Sequence, residues 1–394
     1  MIQITNKHEC CGCGACQNIC PQNCIKMCVD AEGFSYPQVD LNKCIKCGKC
    51  KAVCPLCHVP SVLTPPPHAF AAQSINQQIR EKSASGGIFY EIAKNIIEHK
   101  GVACGATYDI NGMVRHKIVD KVNQLEALQG SKYVQSDLNN CFQQINNLLA
   151  KQVKVLFVGT PCQVAALKNY TKDNADNLVL VDLVCFGVPS PLIYSMWRSF
   201  LEKKYKKKIA SVNFRDKSYG YAAPNVKILF ADGKAIEQTY PVKSYMKLFM
   251  SELNVRPSCY KCQFKGVSRC SDITLGDCWS IKKFESSMDD NIGTTGVYIH
   301  TERGFAILED IKSSLTFREI NLNKAVSADG KKMLFCAQEP NNREEFYTDI
   351  PNGYEKLIYK WAPETYREKL ITFSKRALKK APFFKSLLHW YKHR

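Results

Sequence analysis

Eight cysteines fall into two runs that share one spacing. Each run reads Cys-x2-Cys-x2-Cys-x3-Cys-Pro, and the runs begin at Cys10 and Cys44, 34 residues apart. Thiolates at intervals of three residues can hold one corner of a metal cluster from a single loop. The proline after the fourth cysteine helps to turn the chain away. The spacing therefore predicts a metal-binding repeat rather than a set of disulfides.

This spacing is the bacterial pattern for paired 4Fe–4S clusters, in which the fourth cysteine of each run binds the cluster of the other run. Residues 1–58 accordingly resemble a two-cluster ferredoxin domain. By that rule, one cluster would be held by Cys10, Cys13, Cys16 and Cys54. The second would be held by Cys44, Cys47, Cys50 and Cys20. Zinc also binds Cys-x2-Cys pairs, but two complete runs that both end in proline favour clusters.

The cysteine content as a whole indicates the redox setting. The chain of 394 residues contains 21 cysteines, and 12 of them lie in residues 1–58. The sequence shows no apolar leader at its start and no apolar run long enough to cross a bilayer. We therefore expect a reducing, cytoplasmic setting, where clustered cysteines bind metals or carry redox chemistry. Four further thiols of the repeat region are interpreted as spare thiols near the clusters: Cys11, Cys24, Cys28 and Cys57.

The hydrophobic pattern predicts an α+β or α/β chain in several parts. These are a ferredoxin domain over 1–58, a Pro-rich linker over 59–72, an α/β region over 73–190, a less regular region over 191–350 and a basic helical tail over 351–394. Apolar residues from Ile88 to Ile97 recur at helical spacing. The runs GVACGATY, VKVLFV and LVLVDLVCF are short apolar strands, typical of a sheet covered on both faces.

The helix near Ile88 follows a segment of small residues, Ser83, Ser85, Gly86 and Gly87. Small residues allow a ligand to approach the backbone, and the N–H groups of a first helical turn favour an anion. Serine-rich caps also begin ordinary helices. The local pattern leaves both an anion site and a plain helix start open.

Five further motifs follow along the chain, in the order GSKYVQS, VGTPCQVAALK, DLVCFGVPSP, NFRDKSYG and RPSCYKCQFKGVSRCSDITLGDCW. With the Ser-Gly-Gly helix start and the cysteine repeat, they resemble the beta subunits of coenzyme F420 (deazaflavin) hydrogenases and dehydrogenases. The resemblance is closer to bacterial members with an N-terminal ferredoxin domain, often associated with polysaccharide biosynthesis. It runs from about Cys10 to Trp279, so residues 73–190 and 191–350 correspond to the two parts of a beta-subunit-like region.

The resemblance implies an FAD in the α/β region, which would make this a flavin-binding domain beside an iron–sulfur cluster. Ser83, Ser85, Gly86 and Gly87 would then serve the FAD pyrophosphate. Lys132 of Gly-Ser-Lys-Tyr would be a charge partner, and Thr160 of Gly-Thr-Pro a further cofactor contact. A flavin accepts a hydride pair and passes single electrons, so it can join an organic substrate to one-electron clusters.

The resemblance also implies a third 4Fe–4S cluster, bound by Cys162, Cys185, Cys259 and Cys262. A competing local set could hold zinc or a cluster, and it consists of Cys259, Cys262, Cys270 and Cys278. Phe186 replaces the histidine that usually follows the second of these motif cysteines. Any chemistry that depends on that histidine in relatives is therefore in doubt here.

No catalytic residue is predicted. A nucleophilic Cys162 would need a positioned base, and no histidine lies in a recognisable cysteine-protease or phosphatase context. Asp216, Lys217 and Tyr219 are candidates, by motif only, for delivering a proton near a flavin. The remaining cysteines, Cys104, Cys141 and Cys336, are interpreted as packing residues.

Two functions follow from these patterns. The first is an iron–sulfur flavoprotein oxidoreductase in which electrons move between the ferredoxin-like clusters and an FAD. That FAD would exchange a hydride with a small organic substrate, either deazaflavin or a glycan-pathway intermediate. The alternative is a non-catalytic electron-transfer subunit that docks onto a partner hydrogenase, dehydrogenase or reductase.

The charge pattern bears on partners rather than on chemistry. The net charge is +18, and the segment from Pro351 to Arg394 contains 11 Lys and Arg against 3 Asp and Glu. Its mixture of basic and aromatic residues is interpreted as a basic surface helix, or as a peripheral contact with the inner face of the membrane. An electron donor or acceptor protein is an expected partner. Specific nucleic-acid binding is not expected, since no recognised reading module is present.

Overall fold

The computed structural model describes residues 1–62, 66–172, 175–366, 368 and 370. The chain divides into two compact units. The first contains Met1–Leu192 and Val255–Gln338, and the second contains Ile193–Asn254 with the described residues from Glu339 onward. All twelve cysteines predicted as cluster ligands therefore lie in the first unit.

The elements follow the chain in this order. The strands are β1 (Ile25–Val29), β2 (Ser35–Val39), β3 (His68–Ser74), β4 (Val102–Tyr108), β5 (Val114–Val119), β6 (Val155–Gly159), β7 (Leu178–Leu183), β8 (Ile209–Asp216), β9 (Asn225–Phe230), β10 (Ala235–Glu237), β11 (Ile273–Asp277), β12 (Thr295–Ile299) and β13 (Leu315–Glu319). The helices are α1 (Ala15–Asn18), α2 (Lys49–Ala52), α3 (Gln77–Lys82), α4 (Ile88–Glu98), α5 (Cys141–Ala150), α6 (Pro161–Thr171), α7 (Pro191–Tyr205), α8 (Tyr240–Met250), α9 (Pro257–Tyr260), α10 (Glu302–Asp310), α11 (Leu322–Asp329), α12 (Lys331–Leu334), α13 (Arg343–Thr348) and α14 (Tyr354–Trp361). Short 3-10 turns occupy Lys7–Glu9, Val122–Leu128, Ile281–Lys283, Ser286–Met288, Lys312–Ser314 and Ile350–Asn352.

The cysteine repeat of the sequence is also a structural repeat. In each run the third cysteine lies in a short helix, α1 or α2, which a glycine with left-handed backbone precedes. Gly14 has φ +70° and Gly48 has φ +79°, a conformation that glycine adopts without steric cost. The two helices contact each other, and β1 pairs with β2 as an antiparallel hairpin next to α1. We call residues 1–58 the ferredoxin module.

The first unit is built on a mixed sheet with strand order β13-β3-β12-β11-β7-β6-β4-β5. The central strands β11, β7, β6 and β4 are parallel, and the outer pairings are antiparallel. In β6, Leu156 and Val158 belong to one buried core, while Val155 and Phe157 belong to another. Both faces of this strand are therefore covered, as its continuous apolar run predicted. The prediction of a mixed α/β chain is confirmed.

Residues 68–72, predicted as the end of the linker, form most of β3. This strand lies within the sheet, antiparallel to both β12 and β13. Its apolar signal is weak because its buried residues are small, among them Ala69, Ala71 and Ala72. The proline-rich segment that precedes it further conceals the strand from sequence reasoning.

The junction between β6 and α6 is a strand, a tight turn and a helix. Thr160 is the N-cap, and its side chain and that of Gln163 form a reciprocal capping box. Pro161 occupies the first turn, where its fixed φ suits a helix start. These contacts fix Cys162 in the first turn of α6, at the carboxyl end of β6.

The second unit contains the antiparallel sheet β10-β9-β8. Gly233, with φ +79°, closes the hairpin between β9 and β10. An aromatic cluster forms its core, consisting of Tyr194, Trp197, Phe214 and Tyr245. The predicted basic tail begins with α14, and its residues from 371 onward lie outside the described residues. In the described part of the chain, no helix has the length and apolarity needed to cross a membrane.

Candidate iron–sulfur cluster sites

The first predicted set, Cys10, Cys13, Cys16 and Cys54, comes together in the ferredoxin module. Burial, with Cys10 and Cys54 nearby, raises the pKa of Cys16 to about 12. Burial also raises the pKa of Cys10, and the proximity of Cys54 adds to this effect. A hydrogen bond with Cys11 lowers the pKa of Cys13, but burial and the neighbouring Cys16 and Cys10 raise it overall. The fourth cysteine of the second run is therefore close to the first run, as the crossed pattern requires.

The second predicted set, Cys20, Cys44, Cys47 and Cys50, lines one recess of the ferredoxin module. Cys24 lines it too, and its Sγ is 3.3 Å from the Sγ of Cys20. The backbone N–H of Ile2 donates to the Sγ of Cys50 at 3.1 Å. Cys50 is buried whereas Cys47 is exposed. This set therefore has one side at the protein surface.

The third predicted set gathers residues from three parts of the first unit. Cys162 follows β6 and Cys185 follows β7, and these neighbouring parallel strands place both cysteines at the same edge of the sheet. Carboxyl ends of parallel strands are the usual ligand sites of such sheets. Cys259 lies in α9, and Cys262 follows it. All four line one recess of about 510 Å³, counted out to its open mouth.

Burial disfavours the free thiolate form of the four cysteines in the third set. A hydrogen bond with Cys11, together with burial, raises the pKa of Cys162 well above its usual value. Burial and the neighbouring thiols raise the pKa of Cys185 to about 12 and that of Cys262 to about 11, and they raise that of Cys259 as well. Buried thiolates need a compensating positive charge, and an iron–sulfur cluster supplies one while holding its ligands deprotonated. The donor set therefore fits a cluster.

Backbone N–H groups also point at the sulfurs of all three sets. Such hydrogen bonds stabilise thiolates and tune the potential of a bound cluster. The pairs are Gly12 with Cys10, Ala15 with Cys13, Gln17 with Cys16, Leu56 with Cys54, Gln22 with Cys20, Val188 with Cys259 and Phe264 with Cys262. The loops therefore bring the sulfurs together and also supply N–H donors that stabilise negative charge on them.

Cys11 joins the first set to the third. Its side chain hydrogen-bonds with Cys13 of the first set and with Cys162 of the third set. It also lines the recess of the third set. Its interpretation as a spare thiol near the clusters is therefore incomplete, because spacing alone does not reveal a contact with a residue 151 positions away.

Arg256 lies between the first and third sets and is fully buried. Its Nε donates to the carbonyl of Cys10 at 2.7 Å, and its two terminal nitrogens donate to Gln135 Oε1 at 3.0 Å and to the carbonyl of Ser35 at 2.9 Å. The guanidinium also lies over the ring of Tyr36, 4.4 Å from its centroid.

The charge of Arg256 acts on both sets. Burial alone would lower its pKa, but the neighbouring groups Cys10, Tyr36, Cys11 and Cys259 raise it when they are ionised. The guanidinium therefore stays protonated. Arg256 is also the N-cap of α9, the helix that carries Cys259. The motif contained this arginine, but its role depends on the ferredoxin module, which no local pattern connects to residue 256.

The competing local set does not come together. Cys270 packs in the core that contains Cys162 and Cys262, but the charged groups that influence it are Lys168, Asp182 and Arg269. Cys278 is buried in a different core, with Ala69, Ile281 and Tyr298. Across the described ranges, no three His, Cys, Asp or Glu side chains are arranged to hold a single metal ion. Cys270 and Cys278 thus lie in different cores of the first unit.

The other cysteines have packing or local roles. Cys104 and Cys141 are buried and hydrogen-bonded to each other. The Sγ of Cys336 is 3.5 Å from the carbonyl of Cys262, to which it donates. Cys57 is near Cys54 and influences its pKa.

The residues predicted to contact a flavin pyrophosphate make hydrogen bonds within the protein. The Gly86 N–H donates to Thr295 Oγ1 at 2.8 Å, and Ser85 Oγ is 2.7 Å from the same oxygen. Ser83 Oγ accepts from Gln129 Nε2 at 2.9 Å. A Cβ on residue 86 would lie 2.3 Å from the carbonyl of Ala72, so packing alone explains this glycine.

Lys132 and Thr160 are likewise engaged. The Nζ of Lys132 donates to the carbonyls of Gln129 and Ala127 at 2.8 and 3.2 Å, and burial lowers its pKa to about 7. Thr160 Oγ1 is 3.2 Å from Cys162 Sγ. Gly87 is the left-handed N-cap of α4. In this structure the predicted cofactor contacts are thus bonded to other residues of the protein.

The proton-delivery candidates lie in the second unit. Asp216 ends β8 and accepts from the Ser218 N–H at 3.0 Å. Lys217 lies over the ring of Tyr221, 5.7 Å from its centroid. Tyr219 Oη is 3.4 Å from Glu237 Oε1. In the first unit, Phe186 lines the recess of the third set, and Lys332 lies over its ring.

Two parts of the chain match known protein families. Residues 152–324 match the family described as the C terminus of the beta subunit of coenzyme F420 hydrogenase/dehydrogenase. Residues 37–56 match the 4Fe-4S binding domain. The first match contains Cys162, Cys185, Cys259 and Cys262, and the second contains the second cysteine run. The family resemblance of the motifs is confirmed.

Whole-protein comparisons show only distant similarity. No curated protein matches the chain. A solved chain of the F420-reducing [NiFe] hydrogenase complex from Methanosarcina barkeri overlaps with a TM-score of 0.48 and 16% identity, covering 74% of this chain and 95% of that chain. The overlap is too low to indicate a shared function.

Replacing Cys162 by alanine tests the third set. We expect Cys162→Ala, purified without oxygen, to lose about four irons per chain, since one ligand of a 4Fe–4S cluster is gone. Cys11→Ala removes a thiol from the same recess and should keep the full iron content. Iron is counted by inductively coupled plasma mass spectrometry. Full iron in Cys162→Ala, or equal losses in both variants, would contradict the ligand assignment.

Arg256→Gln tests the buried guanidinium. The substitution leaves the carbonyls of Cys10 and Ser35 without a charged donor, so we expect the free energy of unfolding of the iron-free chain to fall by about 2–4 kcal/mol. Urea unfolding followed by circular dichroism measures it. Arg318→Gln, at an exposed arginine of β13, should change it by less than about 0.5 kcal/mol. Similar small effects of both changes would show that Arg256 does not hold the loops together.

Proposed function

We propose that this chain conducts single electrons through three 4Fe–4S clusters, held by its three sets of four cysteines. By its family match, the chain belongs with the beta subunits of coenzyme F420 hydrogenases and dehydrogenases. The observation that carries the proposal is the continuity of the sets. Cysteines of the first and second sets pack in one buried cluster, and Cys11 lies between the first set and the third, all within one compact unit. The chain is thus an iron–sulfur protein related to subunits of oxidoreductases, and we assign it the conducting role.

The order of the sets follows from their contacts. Cys16 of the first set is influenced by Cys50 of the second set, in addition to Cys10 and Cys54 of its own. Cys11 then contacts both Cys13 and Cys162. The path therefore runs from the second set through the first to the third. When bound, 4Fe–4S clusters supply reversible one-electron chemistry whose potential depends on hydrogen bonds and solvent exposure.

The chain's own residues adapt each position to its place on this path. The second set is open to the surface at Cys47, while Cys13 and Cys16 of the first set are buried. The third set lies beside basic groups: Lys265 donates to the carbonyl of Cys185 at 2.6 Å, and its charge acts on both Cys185 and Cys262. Positive charge beside a cluster favours its reduced form. These groups would make a cluster at the third set easier to reduce than a cluster at the other end of the path.

The organic half of the reaction is proposed from the family alone. The family description names hydrogenases and dehydrogenases of coenzyme F420, so a deazaflavin, or a glycan-pathway intermediate in the bacterial members, is the proposed hydride partner. FAD would be the junction between hydride and single electrons. The six residues proposed to contact FAD make hydrogen bonds with other residues of the protein in this structure: Ser83, Ser85, Gly86, Gly87, Lys132 and Thr160.

Metal and flavin content of the native chain test the proposal. Protein purified without oxygen should contain about 12 irons, four for each of three clusters, and should show the electron paramagnetic resonance of interacting reduced 4Fe–4S clusters after dithionite. A flavin absorbance band in the same sample would support the flavoenzyme; its absence together with full iron would leave an electron-transfer subunit. A content of about eight irons would mean that the third cluster is absent. The proposed path from the ferredoxin module to the third cysteine set would then be ruled out.

A further inference from the structure

The two cysteine runs are structural equivalents, yet the residues between their cysteines differ in charge. Lys46, Lys49 and Lys51 of the second run stand at the positions of Gly12, Ala15 and Gln17 in the first. Both helices have the same length and the same left-handed glycine before them. The backbone geometry therefore does not require the lysines.

The first run faces the protein interior. A Cβ at Gly12 would lie 2.6 Å from the guanidinium of Arg256, so no side chain fits there. Ala15 is fully buried in the core that contains Phe157 and Val164. The side chain of Asn18 donates to the carbonyl of Asn139 at 2.7 Å. The first run is therefore occupied by contacts with the α/β part of its own unit.

The second run faces solvent. All four lysines of this segment are exposed, and we call them the lysine patch: Lys43, Lys46, Lys49 and Lys51. Lys43 is 3.7 Å from Asp40, and within the described residues the other three form no ion pair. Leu41 and Ile45 are 65% and 60% exposed. The surface thus combines unpaired positive charge with two large apolar side chains.

The charge is concentrated at this end of the module. Residues 41–60 contain four lysines and no Asp, Glu or Arg, whereas residues 1–40 contain two lysines and four acidic residues, Glu9, Asp30, Glu32 and Asp40. The patch is also adjacent to the thiols, because Ile45, Lys46 and Lys49 line the same recess as the four cysteines of the second set. A partner seated on the patch would therefore lie directly over Cys47, the exposed ligand candidate.

We infer that the lysine patch is the docking surface for an acidic electron-carrier protein of the small ferredoxin type, which exchanges one electron with the second cysteine set. This inference rests on the proposed function. Complementary charge steers such encounters and raises association rates by about 10- to 1,000-fold at low salt. The exposed Leu41 and Ile45 would provide the apolar centre of a small, transient interface.

The exchange is a balanced one-electron step. One electron leaves the reduced carrier, which becomes oxidised by one unit, and enters the ferredoxin module, which becomes reduced by one unit. The step can run in the reverse direction when the carrier is the acceptor. No bond is formed or broken, and no further reactant is needed.

The test compares three variants of the full-length holoprotein. Lys46→Gln/Lys49→Gln/Lys51→Gln removes the unpaired charges of the patch, and Lys46→Arg/Lys49→Arg/Lys51→Arg keeps them. Lys117→Gln/Lys121→Gln/Lys151→Gln is the matched control, since these three lysines are exposed and lie outside the module. The probe is a purified acidic two-cluster ferredoxin, reduced in advance, and a basic c-type cytochrome serves as the carrier of opposite charge.

Stopped-flow absorbance gives the second-order rate of electron transfer against ionic strength, and biolayer interferometry gives binding without any redox step. At about 20 mM salt we expect the glutamine patch variant to react with ferredoxin at least tenfold more slowly than the wild-type chain, with the difference vanishing by about 0.5 M, where charges are screened. The arginine variant and the matched control should stay within about threefold of wild type. The cytochrome should react no faster with the wild-type chain than with the patch variant.

Each other outcome overturns the inference. Unchanged ferredoxin rates in the glutamine variant, or an equal loss in the matched control, would show that the patch does not select the partner. Binding of the wild-type chain to anionic liposomes that is lost in the patch variant, without any effect on ferredoxin, would make the surface a membrane contact instead. Failure of the proposed function gives a different result, because a chain that lacks iron at the second set could still bind ferredoxin in the interferometer while transferring no electrons.

Discussion

The buried guanidinium of Arg256 is the interaction on which the arrangement of the cysteines depends. It donates to the carbonyls of Cys10 and Ser35 and to the side-chain oxygen of Gln135, and Arg256 directly precedes the helix that carries Cys259. A charged group in the protein interior is costly unless every donor is matched. Here the match comes from three segments far apart in the chain, so satisfying one side chain fixes the ferredoxin module against the sheet.

That constraint explains why the third set can exist at all. Cys162 and Cys185 are placed by the ends of adjacent parallel strands, but Cys259 and Cys262 come from a segment that has no strand to position it. Arg256 supplies the missing anchor at the start of α9. Arg256 also donates to the carbonyl of Cys10, next to Cys11, whose side chain contacts Cys13 of the first set and Cys162 of the third. The hydrogen bonds of this arginine therefore lie where the two sets approach each other.

Much of this arrangement could be predicted from the sequence, because cysteine spacing and apolar strands are local signals. The two crossed ferredoxin sets follow from the spacing, and the position of Cys162 and Cys185 follows from the strands that precede them. The roles of Arg256 and Cys11 could not be recognised, since the hydrogen-bond partners of the arginine side chain, and the contact of Cys11 with Cys162, are more than 100 residues away. For Gly86 the structure adds a packing reason that the sequence does not show: the carbonyl of Ala72 and the hydroxyl of Thr295 lie where a side chain would be. The strand β3 was hidden because alanines after prolines carry little hydrophobic signal.

X-ray diffraction at the iron absorption edge, from crystals grown without oxygen, would locate the clusters most directly. Three anomalous peaks are expected in the first unit. One should lie among Cys10, Cys13, Cys16 and Cys54, the next among Cys20, Cys44, Cys47 and Cys50, and the last among Cys162, Cys185, Cys259 and Cys262. A peak beside Cys270 or Cys278, or the lack of any iron between Cys162 and Cys259 in fully loaded protein, would contradict a three-cluster path.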